Sequence, residues 1–202
     1  MYDLDATLGR EADPGTNLLL AGPPLTGKRR LGLDVLAAGT HDGEGAIVVS
    51  TKDSAERILE GYADRVKYED RPVGIVDCVT RQQGGEVNDT ERVKFTSSPV
   101  DLTGIGIKLS EFLQDFYEVR GIQRNRVLVH SLTTLLVYSD LQTVFRFLHV
   151  FTGRIQSVDG LGLFTVDSTA HDAQTLNTLK QLFDGVVRFE DGVEPTVQFS
   201  HG

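Results

Sequence analysis

The chain has one cysteine, Cys78, no tryptophan and one methionine among its 202 residues. A lone cysteine cannot close an internal disulfide, which excludes a stapled secreted scaffold and favours a reducing, cytoplasmic setting. Long apolar runs are missing too: nothing approaches the roughly 18 residues of a membrane-crossing helix. The opening MYDLDATLGR is acidic, whereas an export signal starts basic and turns apolar, so no membrane insertion is expected. Positive charge is scarce, with 20 Lys+Arg against 29 Asp+Glu and a formal net charge of −9. Such a surface repels phosphate backbones and anionic lipids unless a basic patch overrides it. The nearest thing to a patch is Arg120, Arg124 and Arg126, and nucleic acid is not an expected partner. Lysine is the rarer base, 6 against 14 arginines, and aspartate outnumbers glutamate 18 to 11, a bias that suits a salt-adapted or GC-rich source. His41, His149 and His171 are scattered, and no H-x-x-x-H or Cys/His spacing offers a zinc site.

What is present reads as one α/β domain over residues 1–202, long enough to bury about 70% of its unfolded surface. NLLLA (17–21), AIVVS (46–50), VGIVDCV (73–79), RVLVHS (126–131) and LGLFTV (161–166) are short apolar runs. Continuous apolar runs alternating with helical patterns describe a mainly parallel sheet buried on both faces. The helices are signalled by Leu31, Val35 and Leu36, by Ile58, Leu59, Tyr62 and Val66 behind an Asp53 or Ser54 cap, and by Leu109, Phe112, Leu113 and Phe116. Behind Asp140, Leu141, Val144, Phe145 and Leu148 fall at i, i+3, i+4, i+7. Phe145 fits that inner stripe and Phe147 is displaced from it; an exposed aromatic there would suggest docking. A further helix is expected around 172–183, and residues 185–191 and 196–200 read as a closing antiparallel β-hairpin. Residues 80–101 are polar, contain Gly84-Gly85 and lack periodicity, so they predict a long loop suited to partner recognition.

Between the first strand and first long helix lies Gly22-Pro23-Pro24-Leu25-Thr26-Gly27-Lys28, the G-x-x-x-x-G-K part of a phosphate-binding loop. Backbone N–H groups there can surround a phosphate, the helix dipole favours its charge, and Lys28 reaches the outer phosphates. By itself the spacing is also that of a plain glycine turn; the strand before it and the helix after it give it meaning.

Around this loop the chain resembles the RecA/KaiC-like P-loop ATPases of archaea and bacteria, and more narrowly a degenerate haloarchaeal branch of them. The resemblance runs through LDATLGREADPGTNLLLAGPPLTGK, GAIVVSTKDSAERIL and RVLVHSLTTLLVYSDLQTVFRFLHVFTGRI, covering nearly the whole chain. It implies a three-layer RecA-like fold, a bound ATP or other nucleoside triphosphate, and self-association or a protein partner. Three departures stand out. The Ser or Thr that binds Mg²⁺ after Gly-Lys is Arg29, the Walker B Asp is His130, and the catalytic Glu after strand two falls in Ser50-Thr51-Lys52-Asp53. The three together argue against Mg²⁺ and for a pseudo-ATPase with a regulatory or signalling role through protein contacts.

Lys28 and Arg29, with Lys52 or a protonated His130, could instead neutralise a triphosphate without metal. Arg29 pointing into the loop would act this way, pointing away would leave the pocket open, and stacking across it would close it. Asp167 closes its strand where the ligand crevice of such a sheet lies; its plainer reading is as the cap of the next helix. The candidate nucleotide-binding set is therefore Gly22 to Lys28, Arg29, His130 and Asp167. Two alternatives remain: an active ATPase using Asp167, Asp53 or Glu56 as substitutes, and a nucleotide-independent scaffold.

Overall fold

The computed structural model describes residues 1–200, apart from the side chains of Asp5 and Ala6; His201 and Gly202, the end of the expected domain, lie outside the described residues. A small hairpin opens the chain, β1 (Tyr2–Asp3), α1 (Asp5–Leu8) and β2 (Glu11–Ala12). Then follow β3 (Asn17–Gly22), α2 (Lys28–His41), β4 (Gly45–Ser50), α3 (Ala55–Ala63), β5 (Val73–Asp77), β6 (Val93–Phe95) and α4 (Leu102–Gln114). A π-helical turn at Asp115–Val119 ends α4, and β7 (Asn125–His130), α5 (Leu132–Tyr138), α6 (Leu141–Ser157), β8 (Leu161–Asp167), α7 (Ala173–Lys180), β9 (Gly185–Glu190) and β10 (Val193–Phe199) complete the chain.

The eight strands β3 to β10 form one sheet in the order β10-β9-β3-β8-β7-β4-β5-β6. Every pairing is parallel except the β9–β10 hairpin. Apolar residues on both sides of each central strand explain the burial. Leu18, Leu20, Val48 and Leu128 enter one core beneath α2 and α3. Leu19, Ile47, Val49, Val127 and Val129 enter a second core beneath α4, α5, α6 and α7. Each fully buried aliphatic contributes about 1.5–3 kcal/mol, so a strand with two apolar faces is held in register from both sides. The expected mainly parallel sheet with its terminal hairpin is what forms.

Three features depart from the sequence reading. The polar stretch 80–101 contains β6, which pairs with β5 and makes the sheet edge. It is also tied down: Arg81 donates to Phe95 O and Val87 O, and Asp89 accepts from the Phe95 N–H and the Lys108 ammonium. Helix α5 lies in LTTLLVY, where only Leu132 and Leu135 are buried, too short a stripe to show a helical period. On α6 the inner stripe is Val144, Leu148, Phe151 and Ile155, leaving Phe145 half-buried.

Candidate functional site

The C-terminal ends of β3, β4, β7 and β8 meet at one edge of the sheet, and the loop 22–28 lies there. Gly22 is required by packing, because a Cβ on it would come within 2.6 Å of both the Phe189 Cβ and carbonyl oxygen. Gly27 sits at φ 92 as the N-cap of α2, with no side chain capping the helix and no acidic residue in its first turn. Its first N–H groups therefore remain available to an anion, in the positive end of the helix dipole. Leu25 stands at φ 64, in the left-handed region that favours glycine, and its side chain is fully exposed.

Lys28 is buried and turned back onto its own loop. Its ammonium donates to Gly22 O at 2.9 Å and to Pro23 O, and pairs with Asp167 Oδ1 at 3.0 Å. An ammonium has three protons; these three oxygens engage them, with the Thr26 hydroxyl a more distant fourth acceptor at 3.5 Å. Asp167 is thus beside Lys28, as the convergence of strand ends implies; Gly22 and Asp167 are register partners of β3 and β8. The plainer reading of Asp167 as a helix cap does not hold, since Asp172 caps α7 by accepting from the Thr175 N–H.

Arg29 points away from the loop, across to α3. Its Nε lies 3.3 Å from Asp53 Oδ2 and its Nη2 donates to Arg57 O at 3.1 Å. The Nε approach is close but misaligned, so this buried nitrogen makes no hydrogen bond. It neither fills nor covers the phosphate loop. Asp53 collects two more neighbours, Arg57 Nη1 at 3.4 Å and His130 Nε2 at 3.7 Å. The Ser50 hydroxyl holds the turn, donating to Asp53 O at 2.6 Å and accepting from the Asp53 N–H.

His130 is buried at the end of β7 with Nδ1 2.8 Å from the Thr165 hydroxyl. Burial pushes its pKa down to about 4, with Lys52 and Arg29 adding to the shift and Asp53 and Asp167 opposing it. At neutral pH the ring is uncharged, so of the two further sources of positive charge the sequence offered, Lys52 or a protonated His130, His130 does not supply it. The neutral ring is best placed with its proton on Nε2 facing the Asp53 carboxylate, and Nδ1 accepting from Thr165. Ser131 is no partner for it: its hydroxyl caps α5 by accepting from the Thr133 N–H.

Lys52 is exposed at the mouth of a crevice of about 240 Å³ that Ser131, Thr133, Tyr138 and Asp167 also line. The Thr133 hydroxyl accepts from the Asp167 N–H at 2.9 Å and lies 3.2 Å from His171 Nε2. On the other side of the loop, Leu25, Thr26 and Gly27 face the β9–β10 turn across about 390 Å³ lined by Glu190, Asp191 and Glu194. Those carboxylates oppose a phosphate arriving from that side. Cys78 is buried and its thiol pushed up to about 12 by desolvation, which makes it an inert core residue.

The structure thus brings Lys28 and Asp167 together and places Arg29 and His130 around Asp53 instead of around the phosphate loop. Thr165, Thr133 and the acidic turn escaped the sequence reading, because each reaches the site through strand register or a distant hairpin and none falls at a motif spacing.

No curated protein sequence matches this chain. Among solved structures, an uncharacterized protein of Pyrococcus horikoshii in complex with an unknown peptide is similar at TM-score 0.69 and 14% identity, covering 98% of this chain and 88% of that one. A KaiC-like protein of Pyrococcus horikoshii OT3 is similar at TM-score 0.61 and 13% identity, covering 97% and 83%. At such identities the likeness is one of fold, and the fold is RecA/KaiC-like. A family model described as a family of unknown function, DUF7504, matches residues 15–189, from the lead-in of β3 to β9 and including every candidate site residue, and the chain belongs to that family.

Proposed function

We propose that this chain is a RecA/KaiC-like P-loop domain, spanning 1–202, that has exchanged metal-dependent hydrolysis for a regulatory role through protein contacts. The observation that carries the reading is the charge cluster at Asp53. Arg29 and His130 stand where oxygen ligands for Mg²⁺ would be needed, and Mg²⁺ takes near-octahedral oxygen donors. The carboxylates left nearby are engaged, Asp53 with Arg29 and Arg57, and Asp167 with Lys28. Among the described residues, no three His, Cys, Asp or Glu gather as metal ligands. This donor set does not fit Mg²⁺, and Asp53 and Asp167, two of the three carboxylates that could stand in as a base, are held in ion pairs, while Glu56 is exposed in the first turn of α3.

The phosphate loop itself stays open, because Arg29 leaves it. ATP or another nucleoside triphosphate would bind there without metal, on the N–H groups of α2 and on Lys28 once the ammonium shifts from Asp167 to phosphate. Nucleotide is then a sensed ligand and not a fuel. The peptide bound to one structural neighbour supports protein contact as the output, with a protein partner or a second copy as the recipient. A haloarchaeal, cytoplasmic setting fits the acidic, arginine-rich composition.

A phosphate-release assay with ATP and GTP in Mg²⁺, run in high potassium chloride, tests the reading. No release above the protein-free rate is expected. Mg²⁺-dependent release that disappears in Lys28→Ala would overturn it.

A further inference from the structure

Helices α4 and α6 lie over the same face of the sheet and leave a groove of about 420 Å³ between them. Its walls are apolar. Phe147 is half-buried with its ring 5.2 Å from that of Phe151, while Ile107 and Val150 are 51% and 62% exposed. Two exposed aliphatics lining one groove with Phe147 and Phe151 are unusual where isolated exposed apolars are the norm.

The charge around this groove is the reverse of the chain's as a whole. Helix α6 carries Arg146 and Arg154 and no carboxylate, in a chain with a net charge of −9. Arg154 is fixed across the groove, donating to Gly106 O at 2.8 Å and to the Ser110 hydroxyl at 2.5 Å. Among the described residues, neither arginine has a carboxylate within 4.0 Å, although the field of Arg146 reaches Asp140 at the start of α6. The acids of α4 are occupied elsewhere: Glu111 pairs with Lys94 and Lys108, and Asp101 caps α4.

We propose that this groove docks an acidic amphipathic helix of a partner protein. Apolar residues of the helix at i, i+3 or i+4, and i+7 would enter between Ile107, Phe147 and Val150, the anchor spacing of a helix laid in a groove. Its Asp or Glu side chains would meet Arg146 and Arg154, which set orientation and exclude basic helices. A second copy of this chain suits the rim less well, since a two-fold contact through this groove would set the same two arginines against each other. The inference rests on the reading that the chain works through protein contacts, and it names the surface and the chemistry of the recipient.

Phage display of 16-residue helical peptides against the full chain tests it, with Ile107→Glu and Val150→Glu as groove variants. Both positions are exposed and far in sequence from the phosphate loop, so the variants should keep the fold. Peptides with leucine or phenylalanine at the stated spacing and with acidic flanks should be enriched. Their binding should fall at least tenfold in either variant, and Arg146→Glu should shift preference toward lysine-flanked versions. No enrichment, enriched peptides indifferent to the variants, or a dimer of the free chain dissociated by Ile107→Glu would overturn the proposal. Phosphate release by the wild type would instead sink the pseudo-ATPase reading and leave peptide mapping to the groove intact.

Discussion

Charge clusters sit at both ends of the central strands, and the one around Asp53, whose Arg57 is 71% exposed, is built differently from the one around Arg126. At the N-terminal end Arg126 is 1% exposed and bonds Glu44 Oε2 at 2.6 Å, Val35 O at 2.9 Å and Asp3 O at 3.2 Å. The Tyr2 ring lies beneath it and beneath Arg124, and the Tyr2 hydroxyl donates to Asp159 O at 2.8 Å. At the C-terminal end Asp53 draws Arg29, Arg57 and His130 to 3.3–3.7 Å, and the Arg29 Nε makes no hydrogen bond. Short, aligned bonds fix a geometry, whereas longer charge contacts neutralise without fixing it. The first end locks the N-terminal hairpin to the sheet. The second fills a site where the fold would place chemistry.

Breaking the lock should have the largest effect. Arg126→Met leaves the buried Glu44 with Arg124 alone, at 3.1 Å, and takes the bonds from Val35 O and Asp3 O; it should cost about 3 kcal/mol, the low end for a broken buried pair, read as a lower urea midpoint with phosphate-loop properties unchanged. A loss under about 1 kcal/mol would remove the contrast between the two ends.

The next effect is a pH slope at the site. His130 has a pKa near 4 when folded and about 6.5 when unfolded. Between these values the unfolded chain holds a proton that the folded one lacks, so stability rises with pH across this window and is lost toward acid. The whole span is worth up to about 3 kcal/mol. His130→Gln keeps a hydrogen-bonding group for Thr165 and should flatten that part of the denaturation profile; an unchanged slope would place its origin elsewhere.

Smaller effects follow at the loop. Lys28→Ala leaves Asp167 with its main counter-charge gone and should cost about 2 kcal/mol, less than at Arg126 because Asp167 is partly exposed. The pair replaced as Lys28→Met with Asp167→Leu should regain most of this in thermal unfolding, since an apolar pair needs no partner charge. Smallest and opposite in sign, Leu25→Gly should stabilise by about 0.5–1 kcal/mol, because glycine accepts φ 64 and the exposed leucine gives up no packing.

Much of the fold was legible because the long elements announce themselves locally. NLLLA, AIVVS and LGLFTV are apolar on both faces, and the loop 22–28 sits between a strand and a helix. The missing pieces are short or non-local. β6 has three residues and the strands of the opening hairpin two each, below any period that alternation can reveal. At the site, Lys28 near Asp167 followed from strand ends converging. The role of Asp53 did not, because His130 reaches it through the pairing of Ser50 with His130 across β4 and β7. The environment of Arg29 depends on how α2 leans on α3, which residue types alone do not state.

The most direct measurement is calorimetric titration of the chain with ATP, ADP and GTP in high potassium chloride, once with Mg²⁺ and once with EDTA. A site filled by its own charges predicts binding that is the same in both buffers and weakens at least tenfold in Lys28→Ala. Binding that requires Mg²⁺ would contradict it, because the residues around Asp53 would then be holding a metal that their charges should exclude.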